Sequence, residues 1–230
     1  MDHVLDNPVW HALTGPHVAF AIGSGRARHY PRDIVPFSAI AEPTPAAYRD
    51  LAVDLPPNTE ARLHRLCDES VPSGWDKIAA YPMLQMVADR IEGAVPDARA
   101  VVSLGESDIE AMLELIAATN PGRFGPRTPM LGTYLGIRDG DRLIAMAGER
   151  IRVPGYVELS GISTHPQARR RGHARHLTAL LMRRALDRGE RPFLHLRSTN
   201  RAALSVYMAL GFKVRRELVS LWCKPATRRS

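Results

Sequence analysis

Residues 162–175, Ile162-Ser163-Thr164-His165-Pro166-Gln167-Ala168-Arg169-Arg170-Arg171-Gly172-His173-Ala174-Arg175, read as the end of an extended segment, a proline that stops it, three consecutive arginines, a glycine and the first turn of a helix. A loop that runs into a helix N-terminus gathers backbone N–H groups that have no intrahelical partner, and the positive end of the helix dipole points the same way. Such a junction binds phosphate. Gly172 lets a ligand approach the backbone closely, Ala174 leaves the first turn uncrowded, and the arginines offer charge-assisted hydrogen bonds to an anion.

Working outward, the sequence predicts a strand over residues 156–164 and a helix over 172–188 with Ala174, Leu177, Leu180, Leu181 and Leu186 on its apolar face. A strand over 193–197 follows, then a helix capped by Thr199 or Asn200 that carries Ala203, Val206, Tyr207 and Leu210 and closes at Gly211. Residues 212–214 and 219–223 read as a final pair of strands. Upstream, Asp139-Gly140-Asp141 is a hairpin turn between strands over 132–138 and 142–150. Before it stand a strand over 100–104 and a helix over 108–119, capped by Ser107 and stopped by Asn120-Pro121-Gly122. In the first part, residues 18–22 and 34–41 read as strands on either side of the turn Gly23-Ser24-Gly25. Residues 45–53 read as a helix, Pro56-Pro57-Asn58 as a break, and 79–91 as a buried strand followed by a short helix. The alternation implies a mixed α/β architecture, divided at Val95-Pro96-Asp97 into residues 1–97 and 98–230.

Two motifs together resemble a known family. Arg169-x-x-Gly172-x-Ala174, after a strand and Pro166, resembles the pyrophosphate loop of the GNAT acetyltransferase superfamily. Asn200-x-x-Ala203-x-x-x-Tyr207-x-x-x-Gly211-Phe212 resembles that superfamily's second signature. The resemblance covers residues 98–225 closely, and the two-part layout is similar to bacterial members with a diverged N-terminal half. It implies a mixed, mostly antiparallel central sheet flanked by helices, and acetyl-CoA as cosubstrate. It further implies direct transfer of acetyl to a primary amine in a ternary complex. Main-chain groups of Ile162, Ser163 and Thr164 would pair with the pantetheine arm. The N–H groups of Arg169, Arg170, Arg171, Gly172, His173 and Ala174 would hold the pyrophosphate, and Asn200 and Ala203 complete the cofactor set. Residues 1–97 would be a degenerate copy of the same fold, walling the acceptor cleft or forming a homodimer surface.

Such a transfer needs a neutral amine, a stabilised oxyanion and a proton for the departing thiolate. Tyr207 lies two helical turns after Asn200 and is the candidate proton donor; its alternative is a half-buried core aromatic. Glu158, a carboxylate within an apolar strand, is the candidate base, because partial burial raises a carboxyl pKa toward a useful range. Some members of the superfamily carry a base at this register, and others rely on a water chain. The alternative is a structural carboxylate paired to Arg150 or Arg152, with Glu149 as the reserve base.

Other classes have weaker support. The net charge of +7 invites a nucleic-acid reading, yet many of the arginines crowd one helix and its approach, where a polyphosphate ligand explains them equally well, and no aromatic-interleaved basic stripe is visible. A non-catalytic acyl-CoA-binding module is the main alternative to an enzyme. There is no GxxxxGK[ST], GxGxxG or GxSxG motif. His173 and His176 lack a third ligand for a metal, and His195 reads as a packed or cleft-lining residue. Cys67 and Cys223 form no cluster. Asp2 and Asp6 stand where a signal peptide would carry basic residues, and no stretch reaches membrane-span length, so the expectation is a soluble cytoplasmic protein.

Overall fold

The computed structural model describes residues 3–94, 100–119 and 122–226. Helix α1 (Pro8–Leu13) precedes β1 (Ala27–His29), β2 (Ser38–Ile40), α2 (Pro45–Asp54), β3 (Ala61–Arg65) and β4 (Trp75–Val87). The second part runs β5 (Val102–Leu104), α3 (Ile109–Thr119), β6 (Tyr134–Asp139), β7 (Arg142–Val153), β8 (Tyr156–Thr164), α4 (His173–Asp187), β9 (Arg191–Arg197), α5 (Arg201–Met208) and β10 (Lys213–Pro225). Among the described residues, eight strands form one sheet in the order β3-β10-β4-β9-β8-β7-β6-β5. Every neighbouring pair is antiparallel except β8–β9. The expected mixed, mostly antiparallel sheet flanked by helices is therefore present.

Local chemistry explains the elements that matter for the site. Gly140 takes a φ of 58° and closes the β6–β7 hairpin. Helix α4 presents Leu177, Ala179, Leu181 and Met182 to the sheet, where they join Leu135, Ala147, Leu159 and Leu194 in one core. Ala174, Leu180 and Leu186, expected on that face, are only partly buried. Asn200, rather than Thr199, caps α5 by accepting the Ala203 N–H at 3.2 Å.

Several expectations change. Among the described residues, 1–97 do not build a second copy of the sheet. Of their described part, β1 and β2 pair with each other, while β3 and β4 enter the common sheet, with β4 between β9 and β10. Val9, Leu13, Tyr30, Ile34 and Phe37 share a core with Ile151, Val153 and Phe193 of the second part. The expected boundary Val95-Pro96-Asp97 lies outside the described residues, as do Asn120 and Pro121 of the helix stop. Residues 75–87 are one strand, and no helix follows it among the described residues up to 94; a strand with partners on both edges carries an apolar run without needing a helical period. The final pair of strands is one thirteen-residue strand, its polar middle accommodated by a register shift between Val214 and Arg216. Residues 18–22 hold a short 3₁₀ turn and one bridge, Ile22 to His29. Pairing in 34–41 is confined to Ser38–Ile40, because Ile34 and Val35 turn back onto the Pro31 carbonyl and Pro36 has no N–H to donate. Ser107 is not a cap. The Asp108 carboxylate accepts the Gly105 N–H at 2.9 Å and starts a 3₁₀ turn there instead.

Candidate active site

Strands β8 and β9 run parallel but pair over three registers only, Tyr156 with Arg191, Val157 with Pro192 and Glu158 with Phe193. Beyond Glu158 they part, and β8 continues to Thr164 bonded to β7 alone. The splay exposes a strand edge whose N–H and C=O groups are free to meet a ligand. A register shift opposite Ala147, with Gly161 at φ 63°, bends β8 at the mouth of the splay. The Tyr134 ring packs under this bulge, 3.2 Å from where a Cβ on Gly161 would stand, and its hydroxyl is buried without a hydrogen-bond partner. The hydroxyls of Ser163 and Thr164 are likewise buried and unpartnered. Unsatisfied buried polar groups are rare, and three of them lie on or beside this stretch of β8.

Past Thr164 the chain turns at Pro166–Ala168 and enters α4 through Arg170 (φ 62°) and Gly172 (φ 81°), which occupies the N-cap position without a side-chain cap. The N–H groups of Arg170, Arg171, Gly172, His173, Ala174 and Arg175 have no acceptor among the described residues, and the first bond of the helix is His176 N–H to Gly172 C=O. A Cβ placed on Gly172 would meet nothing within 4 Å, so this side of the loop is open. Left-handed residues followed by a fifteen-residue helix form an anion-binding concavity. The loop and the splayed edge thus fit a ligand with a phosphate-bearing head and an amide-bearing arm.

Tyr207 lies on α5, packed against the core around α4 and edge-on to Phe212 at 6.0 Å. Its hydroxyl has no hydrogen-bond partner among the described residues, and burial pushes its phenol pKa up to about 12, above the ordinary value. The phenol therefore keeps its proton across the neutral range. The carbonyl oxygen of Asn200 is engaged in capping, which leaves its NH₂ group for other contacts.

Glu158 is fully buried. Burial alone would raise its pKa, but Arg150 donates to both carboxylate oxygens at 2.8 and 2.7 Å, and His195 Nδ1 lies 2.8 Å from one of them. These contacts outweigh desolvation and hold the carboxyl well below the usual glutamate range. The upward shift expected from the sequence is reversed. Glu149 is occupied too, by Arg152 at 3.1 Å and Arg188 at 2.6 Å.

Behind Glu158 runs a chain of buried polar groups that the sequence did not reveal. Arg215 donates to Gln85 Oε1 at 2.8 Å, which turns the Gln85 amide nitrogen toward the Leu5 carbonyl (2.7 Å) and His195 Nε2 (3.0 Å). Arginine can only donate, so the amide orientation is fixed. His195 Nε2 must then accept, and Nδ1 carries the proton given to Glu158. His64 packs against the His195 ring at 4.9 Å, and burial lowers its pKa to about 3, so it stays neutral. The one sequence signal for this chain was Gln85, a lone amide in an otherwise apolar run.

Among the described residues, no helix is long and apolar enough to cross a membrane. No group of three or more His, Cys, Asp or Glu among them is placed to hold a metal ion.

Comparison with known proteins agrees with this geometry. The model of the FR47-like protein family matches residues 134–223. A crystal structure from Novosphingobium aromaticivorans, described as an acetyltransferase of the GNAT family, is 37% identical to the chain, covers 98% of it and 100% of itself, and superimposes with a TM-score of 0.89. A GCN5-related N-acetyltransferase from Kribbella flavida (18% identity, 95% of each chain, TM-score 0.60) and a GCN5-related N-acetyltransferase-like protein from Streptococcus suis (14%, 93% and 92%, 0.57) share the fold. No curated protein matches significantly.

Proposed function

The chain belongs to the GNAT family of acetyltransferases, and from that premise we propose that it transfers an acetyl group from acetyl-CoA to a primary amine by direct attack in a ternary complex. The observation that carries this reading is the splay of β8 from β9, which leads into a loop of free N–H groups at α4. Acetyl-CoA supplies an acyl group activated as a thioester. The N–H groups of Arg170 to Ala174 hold its pyrophosphate, aided by the arginine side chains; the Arg169 N–H, expected in this set, is instead given to the Pro166 carbonyl at 3.4 Å. The free edge at Ile162, Ser163 and Thr164 pairs with the pantetheine amides, and Asn200 and Ala203 border the same groove at the start of α5. Tyr207 holds a proton for the leaving sulfur. Glu158 is a positioning residue in this proposal, since a carboxylate bound by Arg150 and His195 has little affinity for a proton, and the amine loses its proton to water entering the splay.

Two measurements test these roles. Gly172→Glu puts a negative charge where the phosphates sit and lowers acetyl-CoA affinity in calorimetry by about 10-fold or more. Gly172→Ala, with the same left-handed strain but no charge, separates the two causes. Unchanged affinity in a folded Gly172→Glu protein removes the loop from the cofactor site. For Glu158, the pH–rate profile of Glu158→Gln keeps the wild-type acidic limb, whereas loss of that limb restores Glu158 as the base. Acetyl-CoA binding without thiol release over a broad amine panel identifies a binding module instead of an enzyme.

A further inference from the structure

A cleft of about 180 Å³ lined by Arg32, Pro36, Arg62, Arg123, Phe124 and Gly125 lies where the first part of the chain meets the loop before β6. Arg62, on β3 and 3% exposed, donates to Glu60 at 2.9 Å and lies 3.8 Å above the Trp222 ring. Arg123 reaches the same ring at 6.0 Å, and Arg32 extends toward the Glu60 carbonyl at 3.5 Å. Glu60 pairs with Arg62, and among the described residues neither Arg32 nor Arg123 has a carboxylate partner. Three arginines thus line one cleft, with the Glu60 carboxylate paired to Arg62. Burial, and the repulsion of Arg123 and Arg32, lower the pKa of Arg62. Such a concentration of like charge is unfavourable unless an anion joins it.

Phe124 ties this cleft to the splay. Its ring lines the cleft and stands edge-on to Tyr134 at 5.6 Å, and its Cε2 comes within 3.7 Å of a Cβ position on Gly161 at the bulge of β8. One aromatic ring separates the cationic cleft from the strand edge along which the acyl group would lie. The volume is below the roughly 300–1,000 Å³ of sites for drug-sized ligands, which suits a carboxylate on a short arm and not a polymer.

We propose that the acceptor amine is a small amino carboxylate whose carboxylate is received by Arg32, Arg62 and Arg123 while its amine extends past Phe124 to the bulge at Gly161. This rests on the acetyl-transfer reading, since it names the substrate class of that site. Planar guanidinium groups match a carboxylate bidentately, and an anchored carboxylate fixes where the amine points.

The test uses the full chain saturated with CoA and a panel of amino acids, each paired with its own carboxamide. Calorimetry reads binding without turnover. Acids bind about 10- to 100-fold more tightly than their carboxamides, the range for losing a charge-assisted contact. Arg123→Ala and Arg32→Ala, both at exposed arginines, each erase most of that preference and leave acetyl-CoA affinity unchanged. In a thiol-release assay the same variants raise KM for the acids, with kcat for a neutral amine unaltered. If acids and carboxamides bind alike, or both variants keep the preference, the proposal is wrong. It is equally wrong if a short single-stranded oligonucleotide binds in their place and loses binding in the same variants. A carboxylate preference that is intact with no thiol release from any amine upholds the anion site and overturns the acetyl-transfer reading alone.

Discussion

Tyr207→Phe lowers kcat by about 10² to 10⁴-fold and leaves acetyl-CoA affinity and stability nearly unchanged. The substitution removes one oxygen atom. The ring keeps its edge-on contact with Phe212 and its place against the core around α4, and the hydroxyl has no hydrogen bond within the described structure to lose. What disappears is the proton that would be given to the sulfur as the C–S bond breaks, an interaction made in the transition state and not in the ground state, so kcat falls while binding does not. With its pKa pushed up to about 12, the phenol is protonated from pH 6 to 9, and wild-type kcat shows no limb from this group in that range. Steady-state kinetics and calorimetry on the purified variant decide the matter. A collapse in acetyl-CoA affinity makes Tyr207 a binding residue, and unchanged kcat assigns the proton to water.

Arg150→Met destabilises the fold by about 3–5 kcal/mol at pH 7, the range for removing one partner of a buried ion pair. Methionine keeps an unbranched apolar side chain there but loses the guanidinium that stacks on Phe37 at 4.7 Å, and it leaves the Glu158 charge without its main partner. Because the folded-state pKa of Glu158 is depressed, its contribution in the wild type is complete above the ordinary glutamate value of about 4.3 and is lost as pH falls below it. In the variant, burial dominates and the pKa moves above the ordinary value, so acid favours the folded state there. The gap between the two proteins therefore narrows from pH 7 to pH 4, and urea denaturation at both pH values measures it. The double substitution Arg150→Met with Glu158→Gln recovers much of the stability, since it removes both charges while leaving His195 an acceptor. A gap independent of pH refutes the ion-pair account.

Much of what depended on local chemistry was legible in the sequence. Asp139-Gly140-Asp141 specified its hairpin, Thr199 or Asn200 the cap of α5, and Gly172 the open junction at α4, because each acts on neighbours within a few residues, whereas Ser107, equally local, lost its capping role to Asp108. Glu158 was recognised as unusual, but the direction of its pKa depends on Arg150, which lies across the β7–β8 pair, and on His195, thirty-seven residues away. Gln85 and His195 are separated by 110 residues, and no periodicity names a partner at that distance. The insertion of β4 was invisible for the same reason: alternation marks which residues face a core, not which strand lies alongside. The arginine cleft joins residues 32, 62 and 123, no two of which share a motif.

That insertion has a consequence for the birth of the protein. β4 ends at Val87, and its two neighbours begin at Arg191 and Lys213. At a ribosomal rate of about 5–20 residues per second, β4 waits roughly 7 to 28 s before the last of them, which ends at Pro225, is made. During that interval both of its edges are open to other nascent chains. Pro82 sits in the middle of β4, opposite Val219, and a residue without an N–H weakens any premature pairing there while being tolerated in the finished sheet.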